Sequence, residues 1–398
     1  MTYCRICNAR VVPFLSLGRL PLGNAFLKPA DFEKEQLFAL TLGFCDSCSL
    51  VQSMTPPPDV VLQADYQDYR YVPIGVSLRD NLTALGREVG ESGNFVVDIG
   101  SNDGTLLLGA ASKGANVLGV EPAIDISEQA RKAGVPTITG FFDADVAKEI
   151  VARHGLADVV TCTQTLQHIP DPVAFVRAVR SMLCVGGRFV VEGRYFLDTV
   201  KSLTFDTIYH EMMSCFTFGS LRELLRLGDF TIERVERIPT YGGSLRVYAR
   251  SWKWSGNLSS LHSSVRRIKE EEAEIDLSFY TKFAENVATT RDKLRALVFG
   301  LKADGARIVG YGAPSTSATL LGYCGIGKAI DYLVDDNSLK QGMCAPGTHL
   351  PIFSALELQR SKPDYIFLCA WQFKDAIIKR TQGLGAAYIL PIPPQIIR

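Results

Sequence analysis

The chain has 398 residues, 47% of them apolar, and its 42 Lys and Arg balance its 42 Asp and Glu to a formal net charge of zero. That length exceeds one ordinary domain and predicts two or three, each able to bury a core. An even charge with no basic block excludes nucleic acid as the main partner; Met1-Thr2-Tyr3-Cys4-Arg5 has no apolar signal core and no run of about eighteen apolar residues follows, which predicts a cytoplasmic protein with no membrane partner.

Four of the ten cysteines open the chain as two pairs, Cys4-Arg5-Ile6-Cys7 and Cys45-Asp46-Ser47-Cys48. A two-residue gap lets both thiolates of one turn bind a single tetrahedral ion, so two such turns complete a site for structural Zn2+. Four thiolates leave no open coordination position, and the ion is expected to staple a segment too small to keep a core alone. This predicts a zinc-binding domain over residues 1–65. Tyr66, Tyr69 and Tyr71 then cluster at the start of a second domain, 66–250.

Within that domain, Val96-Val97-Asp98-Ile99-Gly100-Ser101-Asn102-Asp103-Gly104-Thr105-Leu106-Leu107 reads as a strand, a tight turn and the start of a helix. Glycine lets the backbone approach a ligand there. A second strand, Asn116-Val117-Leu118-Gly119-Val120, is closed by Glu121, where an acid commonly holds ribose hydroxyls. The pair resembles the cofactor site of class I S-adenosylmethionine-dependent methyltransferases, and that resemblance implies Asp98, Gly100, Asn102, Asp103, Gly104, Glu121, Pro122 and Gln164 as cofactor-binding residues. A nicotinamide-binding Gly-x-Gly-x-x-Gly turn is poorly matched, because Asn102 occupies the second glycine's place. Further strands at Asp158–Cys162 and Arg188–Glu192 alternate with helices, as a doubly wound α/β sheet requires. Residues 251–303 turn charged and helical and read as connecting helices. Over 304–398 a second Rossmann-like α/β domain is expected, opening on Arg307-Ile308-Val309-Gly310-Tyr311-Gly312-Ala313-Pro314-Ser315. Its turn suits either a nucleotide-type ligand or a purely structural half, and the residues leave both open.

Taken in order, Cys4-x-x-Cys7, Cys45-x-x-Cys48, Asp98-Ile99-Gly100-Ser101-Asn102-Asp103-Gly104, Gly119-Val120-Glu121-Pro122, Leu166-Gln167-His168-Ile169-Pro170, Phe205-Asp206-Thr207-Ile208-Tyr209-His210-Glu211, Gly242-Gly243-Ser244-Leu245-Arg246, Gly310–Ser315 and Cys324-Gly325-Ile326-Gly327 resemble the nucleotide-deoxysugar C-methyltransferases. The resemblance covers nearly the whole chain. It implies methylation of a carbon of a keto-sugar carried on a nucleoside diphosphate, with S-adenosyl-L-methionine as cofactor, in deoxysugar biosynthesis for an antibiotic or surface polysaccharide. Such a carbon becomes nucleophilic only after its proton leaves, so the site needs a base and a group to hold the enolate oxygen. The resemblance implies Tyr71, His168, Tyr209 and Glu211 as catalytic residues, with His210 beside them. Two positions depart from the family: Met212 stands where a His follows the Glu, and Thr316 where a Lys is frequent. Met offers no proton chemistry, and neighbouring side chains point in different directions, so His210 does not simply replace it. Three readings follow: C-methylation with a rearranged base, O- or N-methylation or another deprotonation-driven reaction on the same scaffold, or a non-catalytic cofactor-binding partner. The sugar, the carbon, the nucleoside and the oligomeric state, a monomer included, stay open.

Overall fold

The computed structural model describes residues 2–67, 76–251 and 263–398; Tyr69 and Tyr71 lie outside them. Three sheets organise the described residues. Antiparallel strands Val12–Leu20, Phe38–Phe44 and Val51–Ser53 form the N-terminal sheet, whose fourth strand, Ser214–Cys215, returns from far along the chain.

The central sheet holds β1 (Phe95–Ile99), β2 (Asn116–Glu121), β3 (Thr137–Thr139), β4 (Ala157–Thr163), β5 (Leu183–Arg194), β6 (Phe230–Ile238) and β7 (Ser244–Ser251), in the order β6-β7-β5-β4-β1-β2-β3. Only β7 runs against its neighbours. In β1, Val96 and Val97 are both fully buried, as a parallel strand covered on two faces demands. The strand order reverses between β1 and β4, and a crevice opens outside the carboxyl ends of strands at such a switch point. This is the doubly wound α/β architecture expected from the sequence.

Parallel strands Ile308–Tyr311, Leu333–Val334, Ile352–Phe353, Tyr365–Leu368 and Ala387–Pro391 build the third sheet, extended by the antiparallel Pro394–Ile397. A 27-residue helix, Leu277–Ala303, leads into it, N-capped by the Asp276 carboxylate. Its Tyr280, Phe283, Val287, Leu294 and Val298 recur at helical spacing and are buried, each contributing roughly 1.5–3 kcal/mol of burial free energy. They join one core with Leu15 and Leu17 of the N-terminal sheet, Phe205 and Met212, and Ile308 and Leu333 of the third sheet. The units therefore share packing rather than hanging from linkers.

Candidate active site

The four paired cysteines meet at one point, with their sulfurs all within 4.8 Å of one another. Both turns fold alike. The Asn8 amide donates to the Cys4 carbonyl at 3.0 Å and the Ser49 amide to the Cys45 carbonyl at 2.8 Å, while Asn8 and Ser49 take φ values of 59° and 61°. Cys4, Cys45 and Cys48 are buried. A closed set of four thiols so near one another fits a structural zinc ion, with Cys4, Cys7, Cys45 and Cys48 as its holders.

A cavity of about 360 Å³ runs along the carboxyl ends of the central strands. Its lining includes Gly100, Asn102, Glu121, Pro122, Ile126 and Phe142. The turn after β1 owes its shape to Gly100, whose φ is +73° and where a Cβ would stand 2.1 Å from Thr165 Oγ1. Asn102 also takes a positive φ, 51°. Glu121, 7% exposed, accepts the Asn102 amide at 3.0 Å on one oxygen and the Ala123 amide at 2.9 Å on the other. Burial pushes its pKa up against the pull of these two bonds. Each oxygen keeps a second lone pair, and a carboxylate on the cavity wall so oriented suits a pair of ribose hydroxyls. Gln164 also lines the cavity, its amide donating to Ser244 Oγ at 3.0 Å. The other sequence-expected cofactor residues stand behind the wall. Asp98 is 1% exposed, accepts the Thr161 hydroxyl at 2.7 Å, and is pushed up to about 7 by burial. Asp103 accepts the Thr105 amide and hydroxyl at 3.1 and 2.6 Å, and Gly104 precedes the helix Thr105–Ala111 in the left-handed region. These three shape the turn and are absent from the cavity lining.

The same cavity is lined by His168, Tyr209, Glu211, Glu192 and Tyr241. His168 follows β4 on a short 3-10 turn, and its ring lies 6.3 Å from that of Tyr209. His168 Nδ1 is 2.7 Å from the Glu211 carbonyl oxygen. A carbonyl only accepts, so Nδ1 carries the proton of the neutral ring and Nε2 the lone pair. Enclosure in protein brings the pKa down to about 4, the Glu211 carbonyl opposing and the Arg194 charge assisting. The imidazole is therefore neutral at pH 7.

His210 and Met212 face elsewhere. His210 is 1% exposed and its Nε2 meets the Phe38 carbonyl of the N-terminal sheet at 3.0 Å. Met212 is 3% exposed within the shared core, and it is Met213 that reaches the cavity. The residue at the family's His position is thus core packing here, and His210 does not occupy its place. Thr316 is half-buried beside Ser315, which does line the cavity. Tyr71 lies outside the described residues.

Sequence reasoning missed several lining residues. Asn24, Asp59 and Gln63 come from the N-terminal unit and Ser315 from the third sheet, with Ser315 Oγ donating to Asn24 Oδ1 at 2.8 Å. Glu192, 1% exposed, takes Arg246 at 2.6 Å and the Thr240 hydroxyl at 3.0 Å, and Arg246 also donates to Asn81 at 3.1 Å. An acid ending the apolar run Phe189-Val190-Val191 was the available signal for Glu192; distant chain segments meeting in space left none for the others.

Three family models match successive stretches: a zinc binding domain over residues 4–60, a methyltransferase domain over 68–235 and a C-methyltransferase C-terminal domain over 239–393. C-methyltransferase NovU of Streptomyces niveus is 33% identical over 408 residues, covering 99% of this chain and 96% of NovU. A ubiquinone biosynthesis O-methyltransferase of Sodalis glossinidius is 35% identical over 107 residues, 26% of this chain and 42% of that protein. Among solved structures, the magnesium protoporphyrin IX methyltransferase of Synechocystis PCC 6803 is similar at a TM-score of 0.39 and 16% identity, over 49% of this chain and 100% of that one. With NovU matched from end to end and the three models in the same order, the chain belongs to the C-methyltransferase family its motifs resemble, as an S-adenosylmethionine-dependent methyltransferase with a zinc-binding domain.

Proposed function

We propose that the protein methylates the carbon beside the ketone of a nucleoside-diphosphate keto-deoxysugar by way of an enolate. The observation that carries this reading is the convergence of His168 and, from a second stretch, Tyr209 and Glu211 on the cavity that Gly100, Asn102 and Glu121 also line. The cofactor supplies an electrophilic sulfonium methyl. His168, held in one tautomer by the Glu211 carbonyl, takes the proton from the sugar carbon at Nε2. The Tyr209 hydroxyl donates to the oxygen on which charge develops. Glu211, 2% exposed, fixes the imidazole through its backbone and bounds the sugar through its carboxylate. Tyr71, outside the described residues, is a catalytic candidate on the family resemblance alone. An apolar wall that includes Ile99, Ile169 and Met213 keeps water from the enolate.

His168→Ala should lower turnover roughly 10²- to 10⁴-fold while leaving S-adenosylhomocysteine affinity unchanged; an unaltered rate removes His168 from the mechanism. A base is active when unprotonated, and a lowered pKa moves its loss of activity to lower pH. The acid limb of kcat/KM should therefore fall near the value of about 4 given by the His168 environment, not at the ordinary imidazole value of about 6.5. Met212 in place of the family's His favours one second reading, O- or N-methylation, since a hydroxyl or amine needs less help from a base than a carbon does.

A further inference from the structure

Residues 205–213 carry Tyr209 and Glu211 to the cavity, and each unit of the molecule grips them. From the central sheet, Arg194 donates to the Thr207 carbonyl at 3.4 Å and His168 to that of Glu211 at 2.7 Å. From the N-terminal unit, Arg5 and the Ser53 amide donate to the Met213 carbonyl at 2.8 and 3.0 Å. From the third sheet's unit, the Thr319 hydroxyl donates to the Ile208 carbonyl at 2.7 Å and the Trp371 indole N–H to Asp206 Oδ2 at 2.7 Å. Asp206 is fully buried, and among the described residues its Oδ1 has no hydrogen bond of good geometry. A carboxylate out of water is costly without donors; the Trp371 indole is the strongest group holding this one, with the Arg194 charge and the Asp206 and Thr207 backbone behind it. Such a group is a poor choice for stability alone.

We propose that Asp206 and Trp371 form a tether that positions Tyr209 and Glu211: the indole, from the loop after the strand Tyr365–Leu368, fixes the residue three places before Tyr209 and so couples the third sheet's unit to the methyl-transfer pocket. The tether rests on the assignment of Tyr209 and Glu211 to the sugar. Without the indole N–H, Asp206 loses its one side-chain donor and keeps only the Arg194 charge and its own turn's backbone, so nothing ties the Phe205–Thr207 turn to the third sheet's unit through this carboxylate. A displacement of about 1 Å at a reacting group is enough to cost roughly 10²-fold in rate. Asp206→Asn keeps an oxygen that accepts the indole N–H and preserves the tether; Asp206→Ala and Trp371→Phe remove it.

The test uses the full-length protein with S-adenosylmethionine and thymidine diphosphate 4-keto-6-deoxyglucose as the probe substrate. Trp371→Phe and Asp206→Ala should each lower kcat roughly 10- to 100-fold with KM and S-adenosylhomocysteine affinity little changed, and Asp206→Asn should retain wild-type kcat. Amide exchange over 205–213 should quicken about tenfold or more in the two disrupting variants and not in Asp206→Asn. Unchanged exchange over 205–213 in Trp371→Phe and Asp206→Ala overturns the tether, as does a kcat loss in Asp206→Asn equal to that in Asp206→Ala. Tyr209→Phe, measured alongside, tests the pocket assignment separately. If it leaves kcat untouched, Tyr209 is not a substrate contact, while the exchange data still decide whether the tether exists.

Discussion

At the carboxyl end of β2, Glu121 accepts the amides of Asn102 and Ala123 at 3.0 and 2.9 Å; just past the strand Leu333–Val334, Asp335 accepts those of Ala313 and Asn337 at 2.6 and 2.8 Å. In both sheets the acid after the second strand pins the turn after the first, and in both that turn passes through a left-handed glycine, Gly100 and Gly312. The surroundings of the two acids differ. Glu121 lines the cavity, whereas of the third sheet's turn only Ser315 reaches it. Lys340, 5% exposed, donates to the Ala313 carbonyl at 2.8 Å and draws that second turn inward. A strand, a glycine turn and an acid make a cofactor site only where the acid's remaining lone pairs face open space.

The largest contrast should come from the acids themselves. Glu121→Ala leaves two turn amides without acceptors, about 1–3 kcal/mol each, and S-adenosylhomocysteine affinity measured by calorimetry should fall roughly 100-fold or more. Asp335→Ala should lower the melting temperature and leave that affinity alone; equal losses of affinity would break the comparison. Next come the glycines. A Cβ at Gly100 meets Thr165 Oγ1 at 2.1 Å and one at Gly312 meets the Ala370 Cβ at 2.5 Å, so either change to Ala should cost about 1–3 kcal/mol in a urea titration, but only Gly100→Ala should also weaken the cofactor. Smallest is Lys340→Met. Burial already disfavours the ammonium, so losing one hydrogen bond of about 1 kcal/mol should shift the urea midpoint slightly and cofactor affinity not at all.

Local chemistry explains what could be read from the sequence. The cysteine pairs declare themselves because each turn is complete within five residues, and the Gly100 turn with Glu121 because adjacent parallel strands bring consecutive turn and acid together. The same logic located the second α/β unit but left its turn ambiguous: Lys340 closes it from a later loop, beyond what the turn's own residues convey. Met212 posed a problem that only packing resolves. It reads as a lost base, yet it sits in the core with Phe205 and Leu15, and the cavity wall passes to Met213. Asp98 shows the reverse case: a strand-end acid expected at the cofactor instead bonds Thr161 of β4 beneath the turn. The contributions of Asn24, Asp59 and Gln63 depend on the N-terminal sheet gaining its last strand, Ser214–Cys215, from the methyltransferase segment, a pairing no local pattern signals.

The most direct test of carbon methylation is the product formed from S-adenosylmethionine labelled with ¹³C in its methyl group and a thymidine diphosphate 4-keto-6-deoxysugar, read by carbon NMR. A labelled methyl bonded to the carbon beside the ketone is the predicted result, and with S-adenosylhomocysteine in place of the methyl donor solvent deuterium should wash into that position of the unmethylated sugar in the wild type and not in His168→Ala. A labelled methyl on oxygen or nitrogen would contradict the enolate account and show that the scaffold serves a different acceptor.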